Sequence, residues 1–400
     1  MNQKKTLKVL FITFSSIDLN TSATIRNIAL MDGLVKNGVS VDLLTLSTHN
    51  SNVYYDKSLK TIDGVDIIRL KQNIVYSSVV KQSDGLKGLI KKKLLPHARK
   101  LYHSFNLFDN TVINAKNINM STLQSNYYDI IISSSDPKSS HIAAETLVKS
   151  GLKYGQWLQY WGDPLALDIT SKSLHPKWYV RKVEENILSK ADVIVYVSPF
   201  TLEAQQFQFP SVGSKMHFIP VPYIQPKHYE NNIKKKQRLT LGYFGDFDST
   251  VRDIKPIYNY ALESGEELII AGNSDLELNN KNNINIYPRV TQEKLYEMES
   301  KSDVLVCVLN KKGTQIPGKI YHYAATNKPI LVLLDGENKE RISEYLDTFG
   351  RYIICNNTES DIELAINKIR KHNMRWEPSP FFESQFVARK FIELCKVNKL

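Results

Sequence analysis

The sequence predicts an α/β protein with two consecutive Rossmann-like domains. The chain has 400 residues, which is too long for one ordinary core, because single cores stop growing near ~250 residues. Short apolar segments alternate with segments long enough for helices, the pattern of parallel strands that are covered on both faces. This pattern runs through the first half, is interrupted once by a lysine-rich stretch, and then begins again.

The first half opens with a βαβ pattern. The apolar run at 7–14 predicts a strand, and Ile25, Ile28 and Leu34 recur at helical spacing within 23–37. Gly38 predicts the end of that helix before a second strand at 39–46. Further strands of this half are predicted at 65–70, 129–133, 154–160 and 192–198.

The second half repeats the pattern after a connector. The stretch Gln225–Arg238 is rich in lysine and predicts a solvated connector, and residues 380–397 predict a closing helix after a proline-rich entry. Strands are predicted at 239–245, 267–272, 284–287, 304–309, 329–334 and 352–355. The domains are therefore expected at 1–222 and 239–375, with a linker at 223–238 and the closing helix within 376–400.

Composition and charge restrict the class of protein. The 42% hydrophobic and 23% charged residues are ordinary globular usage, and the net charge of +11 favours anionic partners. The basic residues are scattered and no nucleic-acid-binding motif stands out, so we expect no nucleic-acid partner. Cys307, Cys355 and Cys395 are far apart, which argues against a disulfide framework or a thiolate zinc site.

The apolar segments are too short for a membrane span, and residues 1–8 lack the apolar run of a signal peptide. We therefore expect a cytoplasmic protein. The segment Gly85–His103 alternates leucines with lysines and arginines. Two interpretations stand equally: peripheral docking on the anionic inner face of the cell membrane, or an ordinary solvated helix pair.

One segment resembles a known family. Residues 315–330, Gln-Ile-Pro-Gly-Lys-Ile-Tyr-His-Tyr-Ala-Ala-Thr-Asn-Lys-Pro-Ile, resemble the donor-site signature of GT-B glycosyltransferases, especially the retaining family four (group 1) enzymes of bacterial polysaccharide synthesis. The order of Leu268–Gly272, Tyr287–Val290 and Ser302–Val306 is also similar to that of the family's C-terminal domain. The resemblance implies a GT-B fold, with two Rossmann-like domains facing across a cleft and a C-terminal helix returning toward the N-terminal domain.

The chemistry of the residues agrees with this resemblance. Pro317 suits the first turn of a helix, Gly318 would let a phosphate approach free N–H groups, and Lys319 supplies a cation. Arg252, in the loop after a predicted strand, is the second cation that we expect to neutralise the departing diphosphate. The donor-binding residues expected beside these catalytic cations are Gly245, Asp246, Ser249, Arg289, Val290, Thr314, Gln315, Pro317, Gly318 and His322.

The sequence departs from the family at positions that bear on the donor. Thr314 and His322 stand where members carry two glutamates, and Asp246 stands where many carry arginine. The donor sugar and the stereochemistry therefore remain open, with a UDP-sugar expected first and a GDP-sugar second. Asp246 and Asp248 formally match a metal-binding Asp-x-Asp pair, but their place in the chain argues against that role. We expect no metal ion and no organic cofactor.

The acceptor side rests on fewer residues. Trp161-Gly162-Asp163-Pro164 follows a predicted strand, and Asp163 is expected to orient the acceptor, to act as the base of an inverting reaction, or only to cap a turn. Trp161 and His141 are also expected to bind the acceptor, although a solvated or capping role is an alternative for His141. The remaining expected acceptor-binding residues lie around the start of the first helix: Asn20, Ser22 and Arg26.

These patterns predict a hexosyltransferase-like enzyme. It would move a sugar from a nucleotide-diphosphate sugar to a hydroxyl of a surface-glycan or lipid-linked glycan acceptor, as in capsule or lipopolysaccharide synthesis, with retention and without a metal. Two alternatives remain: a non-catalytic GT-B-like member of a glycan-assembly complex, and a nucleotide-sugar epimerase. Donor turnover with and without an acceptor separates the three.

Overall fold

The computed structural model describes residues 6–59, 62–72, 105–169, 173–230, 233, 236–371 and 375–397. The chain divides into two compact units. The N-terminal unit comprises Met1–Pro220 and Val387–Leu400, and the C-terminal unit comprises Val221–Phe386. Each unit is built on a parallel sheet with helices, so the predicted pair of Rossmann-like domains is confirmed.

The sheet of the N-terminal unit has the strand order β3-β2-β1-β4-β5-β6-β7. Its strands are Lys8–Thr13 (β1), Ser40–Leu46 (β2), Val65–Leu70 (β3), Tyr127–Ser134 (β4), Lys153–Trp161 (β5), Val193–Tyr196 (β6) and Met216–Phe218 (β7). The helices are Ser22–Lys36 (α1), Val112–Lys116 (α2), Ser139–Lys149 (α3), Lys177–Leu188 (α4) and Pro199–Gln208 (α5). The sequence did not predict β7, because three residues, only two of them apolar, carry no periodic signal.

The sheet of the C-terminal unit has the order β10-β9-β8-β11-β12-β13. Its strands are Thr240–Phe244 (β8), Glu267–Ala271 (β9), Ile284–Tyr287 (β10), Val304–Val308 (β11), Ile330–Leu334 (β12) and Ile353–Asn356 (β13). Its helices are Lys255–Ser264 (α6), Gln292–Lys301 (α7), Lys319–Tyr323 (α8), Lys339–Asp347 (α9) and Glu359–Lys371 (α10). Every residue of β11 is buried, as expected for a strand covered on both faces.

Each sheet has one point where the strand order reverses. In the N-terminal unit β1 pairs with β2 on one side and β4 on the other, and in the C-terminal unit β8 pairs with β9 and β11. The connections after the two strands at the reversal point, β1 and β4 in one sheet and β8 and β11 in the other, therefore leave in opposite directions. They open a crevice at the carboxyl ends of the strands. Ligands of open α/β sheets bind at such crevices.

The segment predicted as a solvated linker differs from that expectation at residues 223–230. Tyr223 donates its N–H to the carbonyl of Phe382 at 2.8 Å, and it is buried. The Lys227 ammonium lies 2.8 Å from the buried Glu299 carboxylate, and Tyr229 donates its hydroxyl to the same group at 3.0 Å. This stretch is therefore packed into the C-terminal unit, because its polar residues find buried partners.

The C-terminal helix Ser384–Val397 (α11) follows a short 3₁₀ turn at Pro380–Phe382. From Val387 onward it belongs to the N-terminal unit, where Phe391 packs edge-on against Tyr160 with ring centroids 5.0 Å apart. The predicted return of the closing helix is confirmed. Among the described helices, none has both the length and the hydrophobicity to cross a bilayer, and Gly85–His103 lies outside the described residues.

Two leucines of the C-terminal unit test the assignment of its core. Leu331 of β12 is fully buried, whereas Leu364 of α10 is exposed. We expect Leu331→Ala to lower the free energy of unfolding by about 2–5 kcal/mol, through lost burial and the cavity left behind. Leu364→Ala should change it by less than about 0.5 kcal/mol. Urea unfolding that shows equal losses for both variants would contradict the placement of β12 in the core.

Candidate functional site

The crevice of the C-terminal unit is lined by the loops after β8 and β11. Arg252 joins these two loops: its Nε donates to Asn310 Oδ1 at 3.0 Å, and its Nη1 donates to the Asp246 carbonyl at 3.0 Å. Arg252 forms no ion pair with any described residue. Its positive charge is thus held at the reversal point by neutral oxygens only.

Lys319 is the second cation of this crevice. Its side chain runs across the backbone of Gly245, the first residue after β8, and a Cβ built at position 245 would clash with Lys319 Cε. The absence of a side chain at Gly245 therefore lets the lysine lie here. Lys319 is half-buried and, like Arg252, is not ion-paired to any carboxylate that the structure describes.

Burial lowers the pKa of Lys319 to about 8, and the positive charge of Arg252 acts in the same direction. Desolvation and a neighbouring like charge both penalise the charged form of an amine. At neutral pH the ammonium is nevertheless present, held beside a guanidinium without a carboxylate in direct ion-pair contact, although the more distant Glu299 charge acts in its favour. Such a site is short of negative charge, and an anion that bound between the two cations would relieve both penalties.

Arg289 follows β10 and carries the third positive charge. Its guanidinium pairs with the Asp246 carboxylate, which also accepts the Asn273 N–H at 2.9 Å. Asp248 instead accepts the N–H of Thr250 at 2.9 Å. The two carboxylates of the Asp-x-Asp sequence are therefore engaged in separate local bonds. Across the described ranges, three or more metal-ligating side chains do not converge at any point.

The helix after the Pro-Gly-Lys turn is short and begins two residues later than predicted. Pro317 was expected in its first turn, but α8 begins at Lys319, with Gly318 as its N-cap, and has five residues. The Pro317 carbonyl accepts the Ile320 N–H at 3.1 Å. Because a helix dipole is the sum of its aligned peptide units, this short helix contributes little, and side chains supply most of the positive charge.

The other predicted donor residues lie in the same loops with varied partners. Ser249 donates its N–H to Asp275 at 2.8 Å, and this bond ties the loop after β8 to the loop after β9. Gln315 is buried, and its carbonyl accepts Asn310 Nδ2 at 3.1 Å. His322, Thr314 and Val290 are half-buried. The loops after β8, β10 and β11 thus bring the predicted donor set to one edge of the sheet.

The corresponding crevice of the N-terminal unit is built around Arg26. Arg26 is buried on α1, donates Nη2 to the Ser135 carbonyl, and lies over the Tyr160 ring at 4.6 Å. A Cβ built at Gly162 would clash with its guanidinium. Arg26 therefore packs against the loop after β4 and the loop after β5.

Four charged residues surround this crevice. The Lys138 ammonium lies 2.7 Å from the Asp136 carboxylate and 3.3 Å from that of Asp168. Burial and the Asp136 charge raise the pKa of Asp163, Lys138 opposes the shift, and the resulting pKa is about 6. Asp163 is thus ionised above pH 6. The sequence analysis missed Lys138, Asp136 and Asp168, for which the only signal was a polar loop after a strand.

His141 and Trp161 lie beneath the crevice and not at its surface. His141 Nδ1 lies 2.8 Å from Ser133 Oγ, and its ring stacks on Trp161 with centroids 4.3 Å apart. Burial, aided by Lys138 and Arg26, lowers the pKa of His141 to about 3, so the imidazole is neutral. The solvated role considered for His141 is wrong. Trp161 is fully buried and packs in the core.

Asn20 and Ser22 lie near the start of α1. Asn20 Nδ2 donates to Asp56 Oδ2 at 3.0 Å, which links the loops after β1 and β2. Ser22 is exposed as the first residue of α1, and Thr21 is the N-cap.

Glu184 was not predicted. It is buried on α4, and its carboxylate accepts the N–H groups of Leu165 and Ala166 at 2.8 Å each. It holds the loop that carries Asp163.

No protein-family model matches this sequence, and no curated protein sequence matches it either. Solved structures do match. The catalytic domain of starch synthase IV from Arabidopsis thaliana, bound to ADP and acarbose, has a TM-score of 0.62 at 11% identity, covering 98% of this chain and 99% of that one. AviGT4, a glycosyltransferase involved in avilamycin A biosynthesis, has a TM-score of 0.52 at 11% identity, with coverages of 98% and 97%.

A Listeria monocytogenes protein assigned as a UDP-N-acetylglucosamine 2-epimerase also matches, with a TM-score of 0.52 at 12% identity and coverages of 98% and 97%. At these identities the likeness concerns the fold. The chain has two parallel-sheet Rossmann-like domains like those of GT-B glycosyltransferases, which the sequence predicted. An epimerase shares this architecture, so the fold alone leaves the reaction to be argued from the site.

The proximity of Arg252 and Lys319 can be tested without any ligand. Arg252→Gln removes a positive charge beside Lys319, so we expect the pKa of Lys319 to rise above about 8. The pKa is measured from the pH dependence of Lys319 acetylation, followed by mass spectrometry. Arg375→Gln, at an exposed arginine of the same unit, is the control and should leave that pKa unchanged. A Lys319 pKa unaffected by Arg252→Gln would contradict their coupling.

Proposed function

We propose that this chain is a glycosyltransferase that moves a sugar from a nucleotide-diphosphate sugar to a hydroxyl of a surface-glycan acceptor. The observation that carries the proposal is the pair Lys319 and Arg252, two cations without a carboxylate partner among the described residues. They lie at the crevice where open α/β sheets bind ligands. A diphosphate supplies the missing negative charge.

The same pair suits the chemistry of transfer. When the bond between sugar and diphosphate breaks, negative charge grows on the departing phosphate oxygens, and fixed cations stabilise that charge more in the transition state than in the ground state. The Arg252 guanidinium matches two phosphate oxygens, and Lys319 acts as a point charge. Because these cations take the role that a divalent metal has elsewhere, the proposed reaction is metal-independent. A UDP-sugar is the first donor to test and a GDP-sugar the second.

The N-terminal unit is proposed to bind the acceptor. Asp163 has a pKa of about 6, so its carboxylate is ionised at pH 7 and accepts a hydrogen bond from an acceptor hydroxyl. In the retaining reaction that we propose, the departing phosphate takes the hydroxyl proton and Asp163 orients the acceptor. In an inverting reaction Asp163 would itself take that proton. A surface-glycan acceptor is proposed from the likeness of residues 315–330 to polysaccharide-synthesising enzymes.

Product analysis separates this proposal from its alternatives. The purified chain is incubated with UDP- and GDP-sugars, with and without glycan acceptors, and with and without EDTA. We expect release of nucleoside diphosphate that depends on the acceptor and is equal in EDTA. Isomerisation of the donor without an acceptor would instead identify an epimerase. The fold allows this outcome, because the Listeria monocytogenes protein assigned as an epimerase has a similar fold. Nucleotide binding with no turnover of any donor would favour a non-catalytic assembly protein.

Removal of the Lys319 charge should weaken donor binding. We expect Lys319→Ala to raise the Kd for UDP by about 10- to 100-fold, the effect of losing a charge-assisted hydrogen bond. Its kcat should fall by about 100-fold or more, because the charge on the leaving group is larger in the transition state. Titration calorimetry and diphosphate release measure the two effects. The exposed Lys281 provides a control, Lys281→Ala, which should match the wild type.

The Lys319 pKa also sets a pH dependence for donor binding. A diphosphate binds the ammonium form, and the unliganded pKa is about 8. Below pH 8 that form is already present, whereas above pH 8 binding must be accompanied by proton uptake, and UDP affinity should fall by up to about tenfold per pH unit. Lys319→Ala should lack this part of the decline. Equal slopes above pH 8 for the two proteins would show that another group controls binding.

A further inference from the structure

The start of α4 exposes a group of large apolar side chains. Phe105, Leu174 and Trp178 are 61%, 69% and 68% exposed, and Tyr179 is 40% exposed. We call these four residues the α4 patch. His175 links two of them, since its Nε2 lies 3.0 Å from the Phe105 carbonyl and its ring contacts Tyr179. Trp178 in turn packs edge-on against Tyr179, with ring centroids 5.9 Å apart.

This exposure is not required by the fold of the unit. The inner face of α4 is satisfied by Val180, Ile187 and Leu188, which are buried in the core. Leu174 and Trp178 leave most of their surface in water. One exposed apolar residue alone would need no explanation. Several large ones grouped together, around ring contacts that restrict them, indicate a surface that is covered when the protein works.

The charged residues at the start of α4 are all basic. Lys177, Arg181 and Lys182 are exposed on the first turns of α4, and residues 173–183 contain no aspartate or glutamate. The two acids that follow are engaged elsewhere: Glu184 is buried, and the Glu185 carboxylate accepts the Ser211 hydroxyl at 2.6 Å. The start of α4 therefore presents three exposed cations beside the aromatic group.

We propose that the α4 patch docks this protein on the surface of an anionic lipid bilayer. Tryptophan and tyrosine favour the boundary between headgroups and acyl chains, and lysine and arginine beside them meet the lipid phosphates. Aromatic residues and arginine are enriched in protein interfaces too, but lysine is depleted there, so Lys177 and Lys182 favour a bilayer over a protein partner. Docking itself does not depend on the proposed function; given that function, it brings the enzyme to a lipid-linked acceptor.

Vesicle co-sedimentation with the full chain tests the proposal. One set of vesicles contains phosphatidylcholine alone, and the other contains phosphatidylcholine and phosphatidylglycerol at about 7:3. We expect binding to the anionic vesicles only, weakened by salt. Substitution of Lys177, Arg181 or Lys182 by glutamine should weaken it by about fivefold each. Leu174→Ala with Trp178→Ala should reduce it at least as much.

Two control variants come from the same unit. Phe207 on α5 is 91% exposed, so Phe207→Ala removes an equally accessible aromatic ring and should leave vesicle binding unchanged. Lys190→Gln removes an exposed lysine just beyond the other end of α4 and should also have no effect. Trp178 fluorescence should shift to the blue on binding, and this shift should disappear in Trp178→Phe.

Each opposite outcome has a defined meaning. No binding to anionic vesicles, or equal losses in the patch and control variants, would overturn the proposal. The wild type could instead self-associate without binding vesicles, and Trp178→Ala could abolish that association. This result would overturn lipid docking and show that the patch binds a second copy of the chain. Turnover of a soluble acceptor should be unaffected by the patch variants. Vesicle binding by a chain without any transferase activity would refute the proposed function and leave the docking surface standing.

Discussion

The proposed donor site consists of positive charge that is held at the reversal point of a parallel sheet without a carboxylate in direct ion-pair contact. Lys319 and Arg252 belong to segments far apart in sequence, and the strand order β9-β8-β11 brings them to one crevice. Burial and the neighbouring guanidinium lower the pKa of the lysine, so the unliganded site is electrostatically unfavourable. That cost is offset when an anion binds, which is the basis for proposing a diphosphate as the ligand of this site.

The N-terminal crevice is organised differently. Lys138 pairs with Asp136 and Asp168, and Arg26 is held by a backbone carbonyl and the Tyr160 ring. Acids and cations are mixed here, which suits the hydroxyl groups of an uncharged acceptor better than a second diphosphate. Glu184 fixes the loop beyond Asp163 through two backbone N–H groups. The two crevices therefore differ in charge as a donor site and an acceptor site should.

The positions of most strands and of the closing helix were predictable because apolar runs and helical spacing are local signals. Residues 315–330 gave Lys319, and the loop after a predicted strand gave Arg252. The remainder depends on contacts that no local pattern encodes. Lys227 and Tyr229 bind Glu299 from a stretch that looks solvated by composition, and Lys138 meets Asp168 across two loops. Trp161 was expected to bind the acceptor, but this last residue of β5 is fully buried in the core.

A crystal structure of this chain with UDP bound would test the assignment of Lys319 and Arg252 to the donor site. The two phosphates should lie between the Lys319 ammonium and the Arg252 guanidinium, with N···O distances of about 2.7–2.9 Å. A diphosphate bound elsewhere, with Lys319 and Arg252 both free of it, would show that these cations do not form the donor site.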